Sequence, residues 1–283
     1  MFQIVTKQEL APRIKLFEVS APEIAQKAQP GQFIILRIDE EGERIPLTIA
    51  DFDREKGTIT IIFQEVGKTT ELLGRLKTGD SILDFVGPLG CPSEIEKFGT
   101  VVCVGGGVGV APVFPIARAL REAGNRVISI IGARSRDMLI WEKEMERVSS
   151  ELLVATDDGS AGVKGFVTDV LVEVLKREKV DRVVAIGPAV MMREVCRVTP
   201  ESIPTVVSLN PIMVDGTGMC GACRVEVGGK TRFACVEGPE FDGHQVNWEL
   251  VLQRAKMFVE EERRAMERDL RKGECRCQSS ARK

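Results

Sequence analysis

The residues best suited to chemistry lie near the C-terminus, in VDGTGMCGACRVEVGGKTRFAC, residues 214–235. Cys220 and Cys223 form a C-x2-C pair, and Cys235 follows them. The spacing C-x4-C-x2-C with a later cysteine holds a [2Fe–2S] cluster through four thiolates. Here the first position of that spacing is Asp215 instead of a cysteine. The stretch therefore predicts a [2Fe–2S] site with the ligands Asp215, Cys220, Cys223 and Cys235.

A carboxylate is chemically suited to the empty position. Asp215 carries the same charge as a thiolate and can reach iron through one oxygen. Gly216, Gly218 and Gly221 leave room for backbone amides to hydrogen-bond the cluster sulfides. Two alternatives remain open, which are a zinc knuckle and a surface aspartate beside a cluster that is held by other groups.

Four of the five remaining cysteines need a separate account, since a reducing environment and their positions disfavour disulfides. Cys91 and Cys103 stand alone in apolar contexts and are expected to be small core residues. Cys275 and Cys277 form a C-x-C pair in a charged tail. They are rival ligands, but we expect them to be free.

A second candidate site is the glycine-rich stretch VGGGVGVAP, residues 104–112. An apolar run ends in glycines and a helical pattern begins, so backbone amides can approach a pyrophosphate at the positive end of the helix. The glycines fit the form Gly107-x-Gly109-x-x-Pro112. The alternative is a strand-to-helix turn that binds nothing.

An acidic turn could complete a dinucleotide site. Asp157, Asp158, Gly159 and Ser160 follow an apolar run, where carboxylates could accept hydrogen bonds from ribose hydroxyls. No arginine stands among them to receive a 2′-phosphate, which favours NAD over NADP. The pair could also cap the next helix, and the two roles are compatible.

The pattern of apolar residues, which predicts the elements that position these residues, changes along the chain. Up to about residue 97, short alternating runs separated by turns predict an antiparallel β-barrel or sandwich. Residues 98–208 alternate apolar strands with helices, which is typical of a doubly wound parallel sheet. Residues 209–247 form a small cysteine module, and residues 248–283 a charged helix and tail. The predicted fold class is thus β plus α/β.

Composition limits the function. The 283 residues carry a formal net charge of −3, with 43% hydrophobic and 29% charged residues, which is typical of a soluble globular protein without a general affinity for nucleic acid or membranes. The N-terminus has no apolar core before a cleavage site, so we expect a cytoplasmic protein. His244, the only histidine, is expected to be structural, and no residue is assigned as a general base.

The order of the motifs resembles that of the ferredoxin–NADP reductase superfamily. Its dihydroorotate dehydrogenase and NADH-dependent ferredoxin–NADP oxidoreductase branch is the most similar. The family's flavin motif corresponds to Arg44, Pro46, Leu47 and Thr48, and its G-x-x-[ST] turn for the flavin pyrophosphate to Gly67, Lys68, Thr69 and Thr70. The G-x-G-x-x-P form belongs to its nicotinamide domain. Gly187, Pro188 and Met191 match the family's turn beside the nicotinamide.

The resemblance implies an electron-transfer subunit that uses FAD, NAD(H) and a [2Fe–2S] cluster, with a larger flavin and iron–sulfur subunit as partner. It also implies flavin-based electron bifurcation if that partner is of the ferredoxin–NADP type. Apolar residues at helical spacing could dock the partner or pack on the chain itself: Leu250, Val251, Ala255, Phe258 and Val259. The alternatives are a stand-alone NADH–flavin reductase with a structural metal loop and a redox sensor that binds nucleotide without turnover.

Overall fold

The first part of the chain forms a nearly closed antiparallel barrel. We describe residues 1–267 from a computed structural model. The sheet has the strand order β6-β1-β2-β5-β4-β3-β7. Its strands are β1 (Phe2–Ala11), β2 (Ile14–Ser20), β3 (Phe33–Arg37), β4 (Ile45–Asp53), β5 (Thr58–Gln64), β6 (Ser81–Ile82) and β7 (Asp84–Leu89). Two helices cover its connections, α1 (Pro22–Lys27) and α2 (Lys68–Arg75). Alternating side chains such as Phe17, Ile34 and Ile61 fill its core.

The second part is a seven-stranded sheet in the order β11-β10-β9-β8-β12-β13-β16, parallel except for β16 (Glu240–Asp242). Its strands are β8 (Thr100–Gly106), β9 (Arg126–Ala133), β10 (Glu151–Thr156), β11 (Val163–Lys164), β12 (Arg182–Ile186) and β13 (Thr205–Ser208). The helices are α3 (Val110–Glu122), α4 (Glu142–Val148), α5 (Val167–Arg177) and α6 (Ala189–Val198). The first two helices pack on one face and the last two on the other, as predicted for a doubly wound fold.

The cysteine module follows, with the hairpin β14 (Arg224–Val227) and β15 (Lys230–Phe233), then β16 (Glu240–Asp242) and α7 (Trp248–Arg254). Strand β16 pairs with β13, so the module extends the sheet of the preceding domain. The charged helix predicted to begin at residue 248 is interrupted, because α7 ends at Arg254 and Phe258 has φ 67°. Residues 259–267 are helical, and Cys275 and Cys277 lie outside the described residues.

The barrel and the parallel sheet share one apolar core. Ile14, Leu16 and Ile62 of the barrel pack in the same cluster as Val113 and Ile116 of α3. An ion pair between Arg118 and Asp51, at 2.7 Å, lies beside this contact. These contacts fix the orientation of β4 relative to the glycine turn before α3. Within residues 1–267, no helix combines the length and apolar character needed to cross a bilayer.

Candidate functional site

The predicted cluster ligands lie together as two neighbouring pairs. The Sγ atoms of Cys223 and Cys235 are 3.2 Å apart, and both side chains are buried. The Asp215 carboxylate accepts hydrogen bonds from the backbone amides of Thr217, at 2.8 Å, and Cys220, at 2.7 Å. Cys220 itself is exposed. The loop therefore folds Asp215 back onto Cys220 at its rim and buries the other two cysteines beneath it.

The arrangement suits a two-iron centre. A [2Fe–2S] cluster divides its four protein ligands between two irons. The two pairs, Asp215 with Cys220 and Cys223 with Cys235, match that division.

The protonation of these groups follows from their surroundings. The backbone amide of Thr217 and then that of Cys220 hold the pKa of Asp215 below its ordinary value, so a charged carboxylate is available. Burial raises the pKa of the Cys235 thiol to about 12, and Cys223 and Asp215 act in the same direction. A hydrogen bond from the Gly218 amide to the Cys235 sulfur opposes them. Binding of a metal must therefore displace the Cys235 proton.

Three further cysteines lie apart from these pairs. Cys103 and Cys196 are buried, and burial raises the pKa of each thiol to about 12. The expectation that Cys91 is a core residue is wrong. Its side chain is exposed, and its Sγ lies 3.2 Å from the carbonyl oxygen of Val236. The chain leaving the barrel therefore touches the segment that follows Cys235.

The glycine turn and the Gly187-Pro188 turn lie side by side, because β8 and β12 are parallel neighbours. A Cβ atom on Gly109 would lie 2.3 Å from the Ile186 carbonyl oxygen, so only glycine permits this approach. Gly107 has φ 56° and open space beside it. This leaves the backbone accessible to a ligand at the start of α3. Pro112 lies in the first turn of α3 and Met191 in α6.

The two carboxylates of the acidic turn differ, because within residues 1–267 one accepts hydrogen bonds and the other does not. Asp158 accepts hydrogen bonds from the backbone amide and hydroxyl of Ser160, which hold its pKa below the ordinary value. Asp157 accepts no side-chain hydrogen bond from residues 1–267. Gly159, at φ 79°, permits the turn.

Two arginines that the sequence pattern did not bring to notice lie beside this turn. Arg134 accepts a hydrogen bond from the Asp158 amide through its carbonyl, and the Arg136 amide donates to Ser160 Oγ at 2.8 Å. Both side chains are exposed at the end of β9. The acidic turn itself contains no arginine, as the sequence indicated, but the segment that follows the neighbouring strand β9 brings two arginines beside it.

The predicted flavin residues lie on two adjoining elements. Pro46, Leu47 and Thr48 are half-buried in β4, while Arg44 is exposed just before that strand. Glu43 accepts a hydrogen bond from Thr69 Oγ1 at 2.8 Å, which joins the start of β4 to α2.

The hydroxyl groups of α2 are occupied by the protein. Thr70 Oγ1 accepts from the amides of Val66 and Gly67, both at 3.0 Å, as a helix cap. The backbone amides of Lys68 and Thr69 in the first turn have no acceptor within their own helix, so they are the groups that could face a pyrophosphate. The arrangement fits a flavin whose pyrophosphate lies at α2.

The apolar positions after the cysteine loop divide into two groups. Trp248 and Val251 of α7 pack on the chain's own core, and Leu250 is half-buried. Ala255, Phe258 and Val259 are exposed. His244 is half-buried and its Nε2 has no hydrogen-bond partner among residues 1–267.

Comparison with known proteins agrees with this organisation. A family model for the oxidoreductase NAD-binding domain matches residues 103–197, and a model for the iron–sulfur cluster-binding domain of dihydroorotate dehydrogenase B matches residues 210–247. A solved structure of an NADH-dependent reduced ferredoxin–NADP oxidoreductase, studied for flavin-based electron bifurcation, has a TM-score of 0.91 and 49% identity. The match covers 95% of this chain and 98% of that one. Phthalate dioxygenase reductase, 17% identical with a TM-score of 0.58, shares the fold.

Two curated relatives cover nearly the whole chain. A Thermotoga maritima protein, named as a homologue of the dihydroorotate dehydrogenase B electron-transfer subunit, is 50% identical over 270 residues, which are 95% of each chain. The Desulforamulus reducens electron-transfer subunit of dihydroorotate dehydrogenase B is 34% identical over 249 residues, covering 85% of this chain and 95% of that one. The chain therefore belongs to the family of dihydroorotate dehydrogenase B electron-transfer subunits, and is an oxidoreductase subunit of the ferredoxin–NADP reductase type.

Proposed function

We propose that this chain moves electrons between NAD(H), FAD and a [2Fe–2S] cluster, and exchanges them with a larger flavin and iron–sulfur partner subunit. The observation that carries the proposal is the pairing of Asp215 with Cys220 and of Cys223 with Cys235 in one loop. That loop packs against β3 and β7 of the barrel, next to the strand that we expect to hold the flavin.

Both redox groups are needed because NADH gives up a hydride, which is two electrons and one proton, whereas an iron–sulfur centre accepts one electron at a time. When bound, FAD would couple the two processes, because a flavin can exchange a hydride with NADH and single electrons with an iron–sulfur centre. The residues of this chain bind and orient the groups, so no general acid or base is needed for the hydride step.

We assign NAD(H) to the cleft at the ends of β8 and β12. The open backbone at Gly107 and the close packing at Gly109 support a pyrophosphate at the start of α3. The available Asp157 carboxylate supports recognition of ribose hydroxyls and disfavours a 2′-phosphate. Pro188 and Met191 border the same cleft, where the nicotinamide would lie against the flavin on β4.

The cluster is tested by the anaerobic visible and EPR spectra of purified protein, with iron, sulfide and flavin counts. The wild type should contain flavin and about two irons per chain. Asp215→Ala removes both the carboxylate and the hydrogen bonds that fold the loop. Asp215→Asn keeps one acceptor oxygen and loses the charge. Asp215→Cys supplies a fourth thiolate, and we expect it to retain iron.

We expect the alanine and asparagine variants to lose the cluster signal or shift it, and the cysteine variant to restore a [2Fe–2S] spectrum. Zinc in place of iron in the wild type would contradict the relay and favour a flavin reductase with a structural metal loop. Identical spectra for the wild type and all three variants would place the fourth ligand elsewhere.

The partner is a further part of the proposal. The relatives are electron-transfer subunits, which supports a hetero-oligomer with a larger subunit. The bifurcation studied in the similar solved structure is the reaction that we propose for the assembled complex, in which this chain provides the NAD(H) branch. A dihydroorotate dehydrogenase complex is the alternative assembly. Reconstitution with each type of larger subunit would distinguish them by whether ferredoxin and NADP(H) or dihydroorotate exchange electrons with NAD(H).

A further inference from the structure

Strand β3 is apolar on both of its faces. Ile34 and Leu36 point into the barrel core. Phe33 and Ile35 point the other way and share an apolar cluster with buried residues of the cysteine module, which are Met213, Cys223, Ala234 and Cys235. One strand therefore separates the barrel interior from the buried cysteine pair.

The face that carries Ile35 also carries predicted flavin residues. Ile35 lies directly opposite Pro46 of β4, and Phe33 lies opposite Thr48. Side chains of directly opposed residues project from the same face of a sheet. Ile35 thus has the predicted flavin strand on one side and the cysteine module on the other.

The loop backbone rests directly on Ile35. A Cβ atom built on Gly216 would lie 2.7 Å from Ile35 Cδ1 and 2.8 Å from Leu89 Cδ1, and Gly216 has φ 76°. The residue after Asp215 is therefore in closest contact with these two side chains. Their size determines how near the loop lies to the barrel.

Resting on the proposed function, we propose that Ile35 is a positioning residue for electron transfer between the flavin and the cluster. Its side chain supports Gly216, and through it Asp215, and fills the space between β4 and the buried cysteines. It thereby keeps water from the buried cysteine pair on the side where β4 lies. Because solvent exposure is one of the factors that set an iron–sulfur potential, the identity of this residue contributes to the potential.

The neighbouring residue provides a matched control. Ile34 is the same residue type, is 0% exposed where Ile35 is 3%, and faces the barrel core. Alanine at either position leaves a cavity and lowers the melting temperature. Only Ile35→Ala opens the space beside the cysteines. A difference in cluster potential between the two variants would therefore result from the location of Ile35 and not from a general loss of stability.

The test measures the cluster by redox titration followed by EPR, and deuterium around the reduced cluster after transfer to D2O. We expect Ile35→Ala to shift the cluster potential upward and to increase the deuterium signal, because water enters. Ile35→Val should give a smaller change in the same direction. If Ile35→Ala loses iron, the cluster potential and deuterium signal of Ile35→Val provide the test. Ile34→Ala should match the wild type in both measurements.

Equal potentials and equal deuterium signals in the wild type and all three variants would overturn the proposal. Equal changes at positions 34 and 35 would also overturn it, since the effect would then be one of stability. A wild type without flavin or without iron would contradict the proposed function itself, and that failure is visible before any variant is compared.

Discussion

Two adjacent aspartates show how different the roles of neighbouring residues can be. Asp158 is engaged by Ser160, whereas Asp157 is free to accept a hydrogen bond from a ligand. From the sequence alone, the two aspartates could not be told apart. Asp158 shapes the turn through its hydrogen bonds with Ser160, and we expect Asp157 to present its carboxylate to the nucleotide.

We predict that Asp157→Asn weakens NADH binding by about tenfold, since a hydrogen bond to a charged group contributes about 1.5–3 kcal/mol. It should also narrow the preference for NADH over NADPH, because Arg134 and Arg136 remain nearby. The measurement is the KM for each nucleotide in anaerobic dye reduction. Asp158→Asn is the control and should affect both nucleotides alike. A variant at position 157 with an unchanged ratio of the two KM values would remove Asp157 from the ribose site.

Glu240 is a second residue whose surroundings determine its behaviour. It accepts a hydrogen bond from Ser93 Oγ at 2.6 Å, which joins the segment after the barrel to the cysteine module. Burial raises its pKa above the ordinary 4.5, against the opposing effects of Ser93 and Arg182. The pKa of such a carboxyl group is higher in the folded protein than in the unfolded chain. Its contribution to stability is therefore fully present at a pH below the pKa of the unfolded chain, and is lost as the pH rises through the pKa of the folded protein.

We therefore predict that Glu240→Gln, which is neutral at every pH, gains free energy of unfolding relative to the wild type as the pH rises from 5 to 8. Urea denaturation across this range measures the difference. Glu237→Gln is a control of opposite sign, because the Phe233 amide and Arg232 lower the pKa of Glu237. That variant should be less stable than the wild type at neutral pH, and the difference should shrink as the pH falls. Parallel curves for both variants would contradict the assignment.

At the scale of elements, the periodicity of apolar residues predicted those strands, helices and turns that depend on local sequence. The antiparallel strands of the first part, the later alternation of strands and helices, and the strand-to-helix turn at Gly107 all follow from patterns within short segments of the chain. The continuous apolar run Phe33–Arg37 did not reveal which face meets the barrel and which meets the cysteine module, because strand burial on both faces removes the alternation.

Contacts between distant segments could not be predicted in this way. Strand β16 joins the sheet edge beside β13, and Arg134 reaches the acidic turn only because β9 and β10 are parallel neighbours. Cys91 is exposed and contacts the carbonyl oxygen of Val236, far along the chain. Each of these is set by tertiary packing, which the apolar pattern of a single segment does not encode.

At the scale of the whole molecule, the barrel, the parallel sheet and the cysteine module are joined by packed contacts. The shared core holds the nucleotide cleft against the barrel, β16 continues the parallel sheet, and Ile35 contacts the cysteine loop. In the proposed function, electrons would enter at the end of β8 and leave at the rim of the loop, where Cys220 is exposed.

That rim is apolar. Met219 is 88% exposed, and Ile212, Val214 and Val236 are also exposed on the same module. Exposed apolar side chains concentrated around a functional group mark an interaction site. Because an electron carrier must lie close to its acceptor, we expect the larger subunit to dock on this rim, with Met219 at the contact. The exposed residues after α7, including Phe258, are farther along the chain and are the alternative contact.

We predict that Met219→Lys weakens the complex with the larger subunit by about tenfold or more, as expected for a central contact. Phe258→Lys, an exposed apolar residue changed in the same way, should leave the affinity within about twofold. Affinity is measured with the purified larger subunit, and NADH-dependent dye reduction by the chain alone checks that its own cofactors still function. The reverse result, with Phe258→Lys weakening the complex and Met219→Lys leaving it intact, would move the interface to the segment after α7. Electrons would then leave the cluster through a surface other than the exposed rim.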